Sequence, residues 1–205
     1  MGLKERRQRE KDAKRELILK AARELLHKKG IGGASMNQIA KKAELGVATL
    51  YSYFKNKEDL FLTIQQEGFD LLKKKTIKAI GAETDPGRKL GIVAHAFLRF
   101  SQENKNYYYI INYFASSPEI LFKPTLKVEI DLQAASSMQL PVEIIKEGIA
   151  AGIFKPIDAK RASIMFWGLV QGLTQFRKLE STIFEGDSHL DIFNFSIQHF
   201  IDTLR

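Results

Sequence analysis

The sequence predicts an all-α protein in which a three-helix N-terminal domain is followed by a larger helical domain. Apolar residues recur at intervals of three and four along nearly all of the 205 residues, which is the spacing of one helix face. Capping Ser, Asp and Asn residues, or a first-turn Pro, precede most of these stretches. No segment alternates apolar and polar residues for long enough to predict a sheet.

The composition excludes several kinds of site before any motif is considered. The chain has no cysteine, which excludes disulfides, thiolate metal sites and cysteine nucleophiles, and we expect a cytoplasmic protein. No run of about 18 apolar residues is present, so we expect no membrane partner. The first residues lack the apolar core of a secretory signal.

The positive charge is concentrated near the N-terminus. The formal net charge is +8, of which residues 1–60 carry +7 and residues 61–205 carry +1. A basic domain next to a neutral one is typical of polyanion binding, although a basic tail that only aids solubility would give the same numbers. Charge alone leaves DNA, RNA and anionic lipid open. We predict one domain over residues 1–60 and another over residues 61–205.

The chain begins with a basic arm and a long helix. Residues 1–11 are nearly without apolar side chains, which predicts a disordered arm. Residues 12–29 carry an apolar stripe with helical spacing, and Gly30 is the predicted C-terminal cap.

Two short helices and a longer one follow. Ser35 and Gln38 form a capping-box pattern ahead of a helix that ends near residue 43. Another short helix covers residues 47–54, and Asn56 caps the longer one. Further helices are predicted to start at or just after Asp85-Pro86, Asn106, Pro124, Pro141, Asp158 and Ser188.

The two short helices fit a helix-turn-helix. Two helices joined by a tight turn must cross closely, which requires a small residue and apolar anchors. Ala40 is small, and Ile39, Ala43, Leu45 and Leu50 are spaced as anchors. Many three-helix domains would also satisfy this spacing.

Two segments of the chain, IAKKA (residues 39–43) and TLYSYFKNKEDLF (residues 49–61), resemble the DNA-binding signature of the TetR family of regulators. The approach from Gly30 to Ser35-Met36 is similar as well, and the likeness covers about residues 14–62. The resemblance implies a homodimer that binds palindromic double-stranded operator DNA and responds to a small-molecule effector. We therefore predict a sequence-specific transcriptional regulator, a repressor that a small lipophilic or aromatic effector releases.

Two residues in the turn depart from the family pattern. Glu44 stands where the family usually has Gly, and Gly46 stands where it usually has a Ser or Thr cap. Since Gly reaches positive φ without a Cβ penalty, we expect Gly46 to have taken over that conformation.

The predicted DNA contacts lie on the second and third helices and at the start of the fourth. They are Ser35, Met36, Val47, Ala48, Thr49, Tyr51, Ser52, Tyr53 and Lys57. Lys57 would meet a phosphate at a helix N-terminus, as the resemblance also implies. The third helix has no Arg, Lys, Asn or Gln for a bidentate base contact. We therefore expect base reading to depend on thymine methyls, DNA shape and the basic arm (Lys4, Arg6, Arg7, Arg9 and Lys11).

The last two helices are the predicted dimer interface, because a helix-turn-helix needs a second copy to read two half-sites. The predicted interface residues are Trp167, Gly168, Gly172, Phe193, Ile197 and Phe200. Gly168 and Gly172 form a small-xxx-small pair that allows close helix approach. An ordinary intrachain core is the alternative.

The middle helices are dense in aromatic residues, which suits an apolar effector pocket with a few hydroxyl groups. The predicted lining consists of Phe97, Phe100, Tyr109, Tyr113 and Phe122. The resembled family has its inducer pocket among these helices. Plain aromatic packing would explain each residue singly.

An enzyme is the main rival class. The four histidines, His27, His95, His189 and His199, are scattered and fit no metal-ligand spacing. No nucleophile elbow, phosphate loop or dinucleotide fingerprint is present. We predict no catalytic residue, no metal and no cofactor. A ligand-free architectural DNA-binding protein and a small helical enzyme stay as alternatives.

Overall fold

The computed structural model describes residues 2–116, 124–183 and 186–205, and within these residues it contains helices and no strand. The all-α prediction is confirmed. The helices are α1 (Leu3–Gly33), α2 (Met36–Lys42), α3 (Val47–Tyr53), α4 (Lys57–Ile80), α5 (Pro86–Glu103), α6 (Lys105–Ser116), α7 (Pro124–Ser137), α8 (Gln139–Ala150), α9 (Ala159–Phe176), α10 (Glu180–Ile183) and α11 (His189–Leu204).

The chain forms two compact units, each built from two segments. The first unit consists of Met1–Phe69 and Asn104–Asp131, and the second consists of Asp70–Glu103 and Leu132–Arg205. The first unit thus holds α1, α2, α3 and α6, and the second holds α5, α8, α9 and α11. The functional boundary at residue 60 stays a prediction.

The first unit is organised around α1. The buried stripe of α1 begins at Ile18, which contacts a core that also contains Ile39 of α2 and Leu50 of α3. Ile110 of α6 is fully buried in the same core. The α6 segment therefore belongs to this core although it lies far along the chain.

Helix starts in the second unit follow the predicted caps. The side chains of Asp85, Asp158 and Ser188 each accept a hydrogen bond from the backbone N–H three residues later, at 2.7, 3.0 and 3.1 Å. These bonds satisfy amides that have no partner inside the helix. The helix that follows Asp158 ends at Phe176, where a 3-10 turn at Arg177–Leu179 begins.

The second unit packs α5, α8, α9 and α11 on one another. Phe97, Phe166 and Phe193, from α5, α9 and α11, are almost wholly buried. Gly148 of α8 is held against the ring of Phe154, where a Cβ would come within 2.2 Å of the ring carbon Cδ2. Only glycine allows that contact, so position 148 is fixed by packing.

Candidate nucleic-acid interface

The N-terminus of α2 is held by the predicted capping box. The backbone N–H of Gln38 donates to Ser35 Oγ at 3.3 Å, and the backbone N–H of Ser35 donates to Gln38 Oε1 at 3.3 Å. Ser35 is exposed, whereas the side chain of Met36 is only 7% exposed and packs in the core. Of the two predicted contacts here, Ser35 is accessible through its side chain, and Met36 is an anchor that could offer only its backbone N–H.

The turn between α2 and α3 is closed by backbone bonds. Ala43 N–H donates to the Ile39 carbonyl at 2.8 Å, and Leu45 N–H donates to the Ala40 carbonyl at 3.0 Å. Leu45 and the two anchors of α2 thus lie as the spacing predicted.

The prediction that Gly46 takes the positive-φ conformation is wrong. Glu44 has φ 57°, whereas Gly46 has φ −64° and ψ 143° and serves as the N-cap of α3. The left-handed residue stays at the turn position, because an extended residue is needed to start the next helix. A non-glycine residue therefore bears the steric cost of that conformation.

The third helix turns nearly all of its side chains outward. Leu50 is the one residue of α3 that is buried, and Val47, Ala48, Tyr51 and Ser52 are exposed. Half of the Tyr51 side chain is accessible, at 50%. Such a helix can enter a groove without unfolding any part of the core.

The remaining α3 side chains are partly buried. Tyr53 packs against the core of the first unit, and Thr49 is partly exposed. The Ser52 hydroxyl donates to the Thr49 carbonyl at 2.6 Å, which leaves its lone pairs free to accept. The two tyrosines of α3 thus differ in environment, because Tyr51 is exposed whereas Tyr53 packs against the core.

The first turn of α4 follows α3 in the chain after residues 54–56. Asn56 Oδ1 accepts a hydrogen bond from the backbone N–H of Asp59 at 2.8 Å, as the sequence predicted. Lys57 is partly exposed, with its Nζ 5.5 Å from the centroid of the Phe61 ring. The ammonium is thus held at a helix N-terminus, where phosphate binding is favoured.

The two helices α1 and α2 are joined by an ion pair. Lys42 Nζ lies 2.7 Å from Glu24 Oε2, and this hydrogen bond is the main cause that lowers the pKa of Glu24. The ammonium of Lys42 is therefore paired within the protein and was not among the predicted DNA contacts.

The prediction of a disordered arm is wrong for residues 3–11, which form the first turns of α1. Residues 2–17 are all exposed, so this stretch of helix lies outside the core. It is supported locally: Arg6 Nε lies 3.0 Å from Glu10 Oε1, and Gln8 Nε2 donates to Asp12 Oδ1 at 2.8 Å. Such pairs, four residues apart, stabilise an exposed helix that hydrophobic periodicity does not reveal.

The predicted end of the first helix at Gly30 is visible as a kink. Gly30 has φ 68°, and the helical turn that follows it is separate in geometry from the helix before it. Glycine is favoured at this position because its φ is positive.

The predicted effector-lining residues lie in different units. Phe97 and Phe100 are buried in the second unit, where the Phe97 ring meets Trp167 edge to face at 4.8 Å between centroids. Tyr109 and Tyr113 are partly or largely exposed in the first unit and border a shallow groove. Phe122 lies outside the described residues. The effector lining stays a prediction.

The structure corrects half of the predicted dimer interface. Phe193, Ile197 and Phe200 are buried in the core of the second unit, so they are not available to a second copy. Periodicity correctly identified one face of α11 but not which neighbour covers it. Trp167 is half-buried against Phe97, whereas Gly168 is exposed.

The same helices also carry exposed apolar side chains that the predicted interface did not include. On α9 and α11 the exposed large apolar residues are Ile164, Met165, Phe176, Leu190 and Phe195. Met165 is 66% exposed and Phe195 is 70% exposed. The sequence carries a signal for the residues of α9, since its apolar side chains from Ile164 to Phe176 leave little polar face on this helix.

Metal sites and membrane spans are both missing from the part of the chain that the structure describes. No group of three or more His, Cys, Asp or Glu side chains there is close enough to hold a metal ion. Among the helices of the same residues, none is both long enough and apolar enough to cross a membrane.

The N-terminal region matches a known family of proteins. The model of the family "Bacterial regulatory proteins, tetR family" matches residues 18–64. The chain is 29% identical over 112 residues to the HTH-type transcriptional activator FasR of Mycolicibacterium smegmatis, with 54% of this chain and 51% of FasR covered. It is 29% identical over 145 residues to YhgD, an uncharacterized HTH-type transcriptional regulator of Bacillus subtilis, with 71% and 74% covered. The chain thus spans about half the length of FasR.

The fold is shared with solved structures. The transcriptional regulator FadR from Bacillus subtilis, in complex with stearoyl-CoA, superposes with a TM-score of 0.76 at 19% sequence identity. The superposition covers 93% of this chain and 99% of FadR. At this identity the likeness shows the fold alone.

Proposed function

Because residues 18–64 match the model of the TetR family of bacterial regulatory proteins, we propose that this chain is a transcriptional regulator of that family, which binds a palindromic DNA operator as a homodimer. In this proposal residues 1–60 form the DNA-binding domain, residues 61–205 form the effector-binding and dimerisation domain, and the protein acts in the cytoplasm. The observation that carries it is α3, which buries Leu50 and exposes the rest of its outer face. A helix so placed fits the major groove of DNA.

The exposed side chains divide by the part of DNA that their chemistry suits. Ser35, Tyr51, Ser52 and Lys57 offer hydroxyl groups or an ammonium to phosphates, which position the protein on DNA. Val47, Ala48 and Thr49 offer methyl groups to thymine and a hydroxyl to a base edge. The interface is rich in positioning groups and poor in bidentate base contacts.

The experiment that tests this function is selection of bound duplexes from a random-sequence DNA pool. We expect a motif with two-fold symmetry whose half-site centres lie about 34–36 Å apart. Lys57→Ala should then weaken binding to that motif and reduce the slope of log affinity against log salt by about 1. Lys146→Ala, an exposed lysine on α8, is the control and should leave both unchanged. Selection of no motif, or of an RNA instead, would contradict the proposal.

The dimer is proposed to form through the outer faces of α9 and α11. Ile164, Met165 and Phe195 expose apolar surface there, and such surface is favourably removed from water by a second copy. Gly168 and Gly172 have no other atom within 4 Å of an added Cβ. Packing among the described residues therefore does not require glycine at these positions, whereas a closely packed partner helix would.

The effector is proposed to be a small lipophilic molecule whose binding lowers the affinity for DNA. The likeness to FadR, whose complex holds stearoyl-CoA, supports testing acyl-CoA thioesters first. Acyl-CoA thioesters of increasing acyl length should be added to the protein in turn. An effector among them should raise the melting temperature of the protein and release the selected DNA. If acyl-CoA instead tightened DNA binding, the protein would not be a repressor that its effector releases. FasR is named a transcriptional activator, so this outcome is also tested. If no acyl-CoA changed the melting temperature or the DNA binding, acyl-CoA thioesters would be excluded as effectors.

We propose no enzymatic role. The relatives named above are regulators, and within the described ranges the acidic residues and histidines form no metal-binding group. An incubation of the protein with acyl-CoA that consumed the thioester would contradict this.

A further inference from the structure

A large groove runs along the outer side of α5 in the second unit. Its volume is about 1260 Å³, and its walls are the end of α4, α5, the turn after α9, and α11. One face of α5 lines it with Arg88, Gly91, Ile92, His95, Arg99 and Gln102. We call this the α5–α11 groove.

The cations of the groove outnumber the carboxylates that could neutralise them. Arg88 forms two hydrogen bonds with Glu83, at 2.9 and 3.0 Å, and Arg205 Nη2 lies 3.6 Å from Asp85 Oδ1. The carboxylate of Glu180, also in the groove, accepts a hydrogen bond of 2.7 Å from the backbone N–H of His189.

Two further arginines of the groove are left without such partners. Arg99 and Arg177 are exposed in the groove, and neither guanidinium makes an ion pair or hydrogen bond with a residue inside the described ranges. The charge of Arg99 acts within the groove, since Arg99 is, after burial, the next cause that lowers the pKa of His95. Two such guanidinium groups in one groove favour a ligand with negative charge.

The groove also has an apolar part that suits an organic body. Ile92, Leu98, Ile197 and Ile201 line it beside the charged groups. The ring of His95 lies against that of Phe193, with 5.5 Å between the centroids. A bare inorganic anion would leave this apolar surface exposed to water, whereas an amphiphilic ligand would cover it.

A glycine in the middle of α5 keeps the groove open. Among the residues that the structure describes, no other atom lies within 4 Å of a Cβ built on Gly91, so their packing does not require glycine there. Glycine inside a helix costs about 0.5–1 kcal/mol relative to alanine. By contrast, Gly87 in the same helix has Ile201 Cγ2 and Arg205 Nη2 within 3.0 Å of its built Cβ, so packing does explain it. Gly91, which packing does not explain, is thus a glycine that borders the open groove.

We propose that the α5–α11 groove binds a phosphate-bearing organic anion of about nucleotide size. Arginine is well suited to this ligand, because its planar fork makes bidentate hydrogen bonds with phosphate. The volume exceeds the range of about 300–1,000 Å³ that is usual for small-molecule sites, so a molecule as large as a nucleotide fits.

The groove stays accessible in the proposed dimer. Asn194 and Gln198 of α11 line it, whereas Phe195 and His199, one residue further in each case, stack on a different side of the helix. Successive helical residues are about 100° apart, so a second copy on Phe195 does not cover the groove side. The site is therefore separate from the proposed dimer surface.

Isothermal titration calorimetry of the full chain with ADP, at low ionic strength, tests the proposal. We expect saturable binding with a dissociation constant below about 1 mM. Adenosine, which lacks phosphate, should bind at least tenfold more weakly than ADP. Arg99→Ala and Arg177→Ala should each weaken ADP binding about tenfold or more, because each removes a charge-assisted hydrogen bond. Lys146→Ala, which removes a charge outside the groove, should have no effect.

A pair of substitutions at Gly91 separates filling of the groove from loss of the fold. Gly91→Phe should abolish ADP binding, whereas Gly91→Ala should keep it, and neither should lower the melting temperature. Equal binding of adenosine and ADP, or ADP binding that survives Gly91→Phe, would overturn the proposal. Binding of decanoate instead of ADP, abolished in the same variants, would overturn the phosphate class. An acyl-CoA effect on DNA that persists in Gly91→Phe would belong to another site, so the two proposals can fail independently.

Discussion

Arg23 of α1 donates a hydrogen bond of 2.8 Å from Nη1 to Glu67 Oε2 of α4, and both side chains are largely withdrawn from solvent. The guanidinium also bonds Glu16 and lies 5.4 Å from the centroid of the Tyr107 ring on α6. Burial raises the pKa of Glu67, against the lowering effect of Arg23. This cluster joins three helices of the first unit through one cation.

Removal of the Glu67 carboxylate should destabilise the protein. Glu67→Ala removes one of the carboxylates that accept hydrogen bonds from Arg23. The Arg23 side chain is only 14% exposed, so water cannot fully replace that acceptor. We expect a loss of about 1–3 kcal/mol in the free energy of unfolding, measured by urea denaturation. The control is Glu103→Ala, which breaks the exposed pair with Lys75 and should cost much less. Equal losses would show that the buried position of Arg23 does not matter.

The stability of the protein should depend on Glu83 below pH 5. Hydrogen bonds from Arg88, then from the backbone, lower the pKa of Glu83 from 4.5 to about 2. The ionised carboxylate therefore stabilises the folded state above pH 4.5, and this contribution is lost as the pH falls toward 2. The stability difference between the wild type and Glu83→Gln should shrink over that range. In an Arg88→Gln background the same comparison should show a weaker pH dependence.

Glu44→Gly should stabilise the helix-turn-helix. Glu44 is exposed and has φ 57°, a conformation that costs about 1–2 kcal/mol for a residue with a Cβ. Glycine removes that cost but adds entropy to the unfolded chain, so we expect a net gain of up to about 1 kcal/mol. Glu44→Ala retains the Cβ and should show no such gain in thermal or urea unfolding. A gain of the same size with alanine would assign the effect to charge instead.

Dimerisation should depend on the exposed faces of α9 and α11. Gly168→Leu and Phe195→Asp should each produce a monomer in sedimentation velocity without loss of helical circular dichroism. Leu132→Asp is the matched control, because Leu132 is 65% exposed on α7 and lies away from these helices in sequence. Dimers that persist in both variants would place the interface elsewhere.

The helical form of the arm should matter for DNA binding. Gln8→Pro retains every basic side chain but interrupts the helix, at a cost of about 3 kcal/mol to local helix formation. We expect it to weaken binding to the selected DNA, whereas Gln8→Ala, which also loses the bond to Asp12, should not. Deletion of residues 2–10 should lower the salt slope by about 0.9 for each DNA phosphate that the arm neutralises in the intact protein. An unchanged slope would exclude the arm from the interface.

The features that the sequence predicted correctly are those decided locally. Ser35 and Asn56 cap their helices because each side chain reaches a backbone amide three residues away, and that distance is written in the sequence. The arm was missed because an exposed helix leaves no apolar stripe, although pairs such as Arg6 and Glu10 were legible.

The features that failed depend on contacts between distant segments. An apolar stripe showed that Phe193 faces a neighbour, but the neighbour is the chain's own core and not a second copy. Arg99 and Arg177 come to one groove only through packing of α5, α9 and α11, so no spacing in the sequence connects them. The prediction for the turn was wrong for another reason. Glu44 adopts the positive φ, whereas the preference of glycine for positive φ had led us to expect it at Gly46.

The two-segment construction of the first unit sets a limit on dissecting the protein. Ile110 and Phe114, which the chain reaches only after residue 103, complete the core that Ile18 and Leu26 begin. A fragment that stopped at residue 69 would present that unfinished core to water and would tend to aggregate. DNA-binding fragments should therefore be sought by grafting the α6 segment onto residues 2–69 through a short linker. Truncation directly after the helix-turn-helix removes the α6 residues that complete its hydrophobic core.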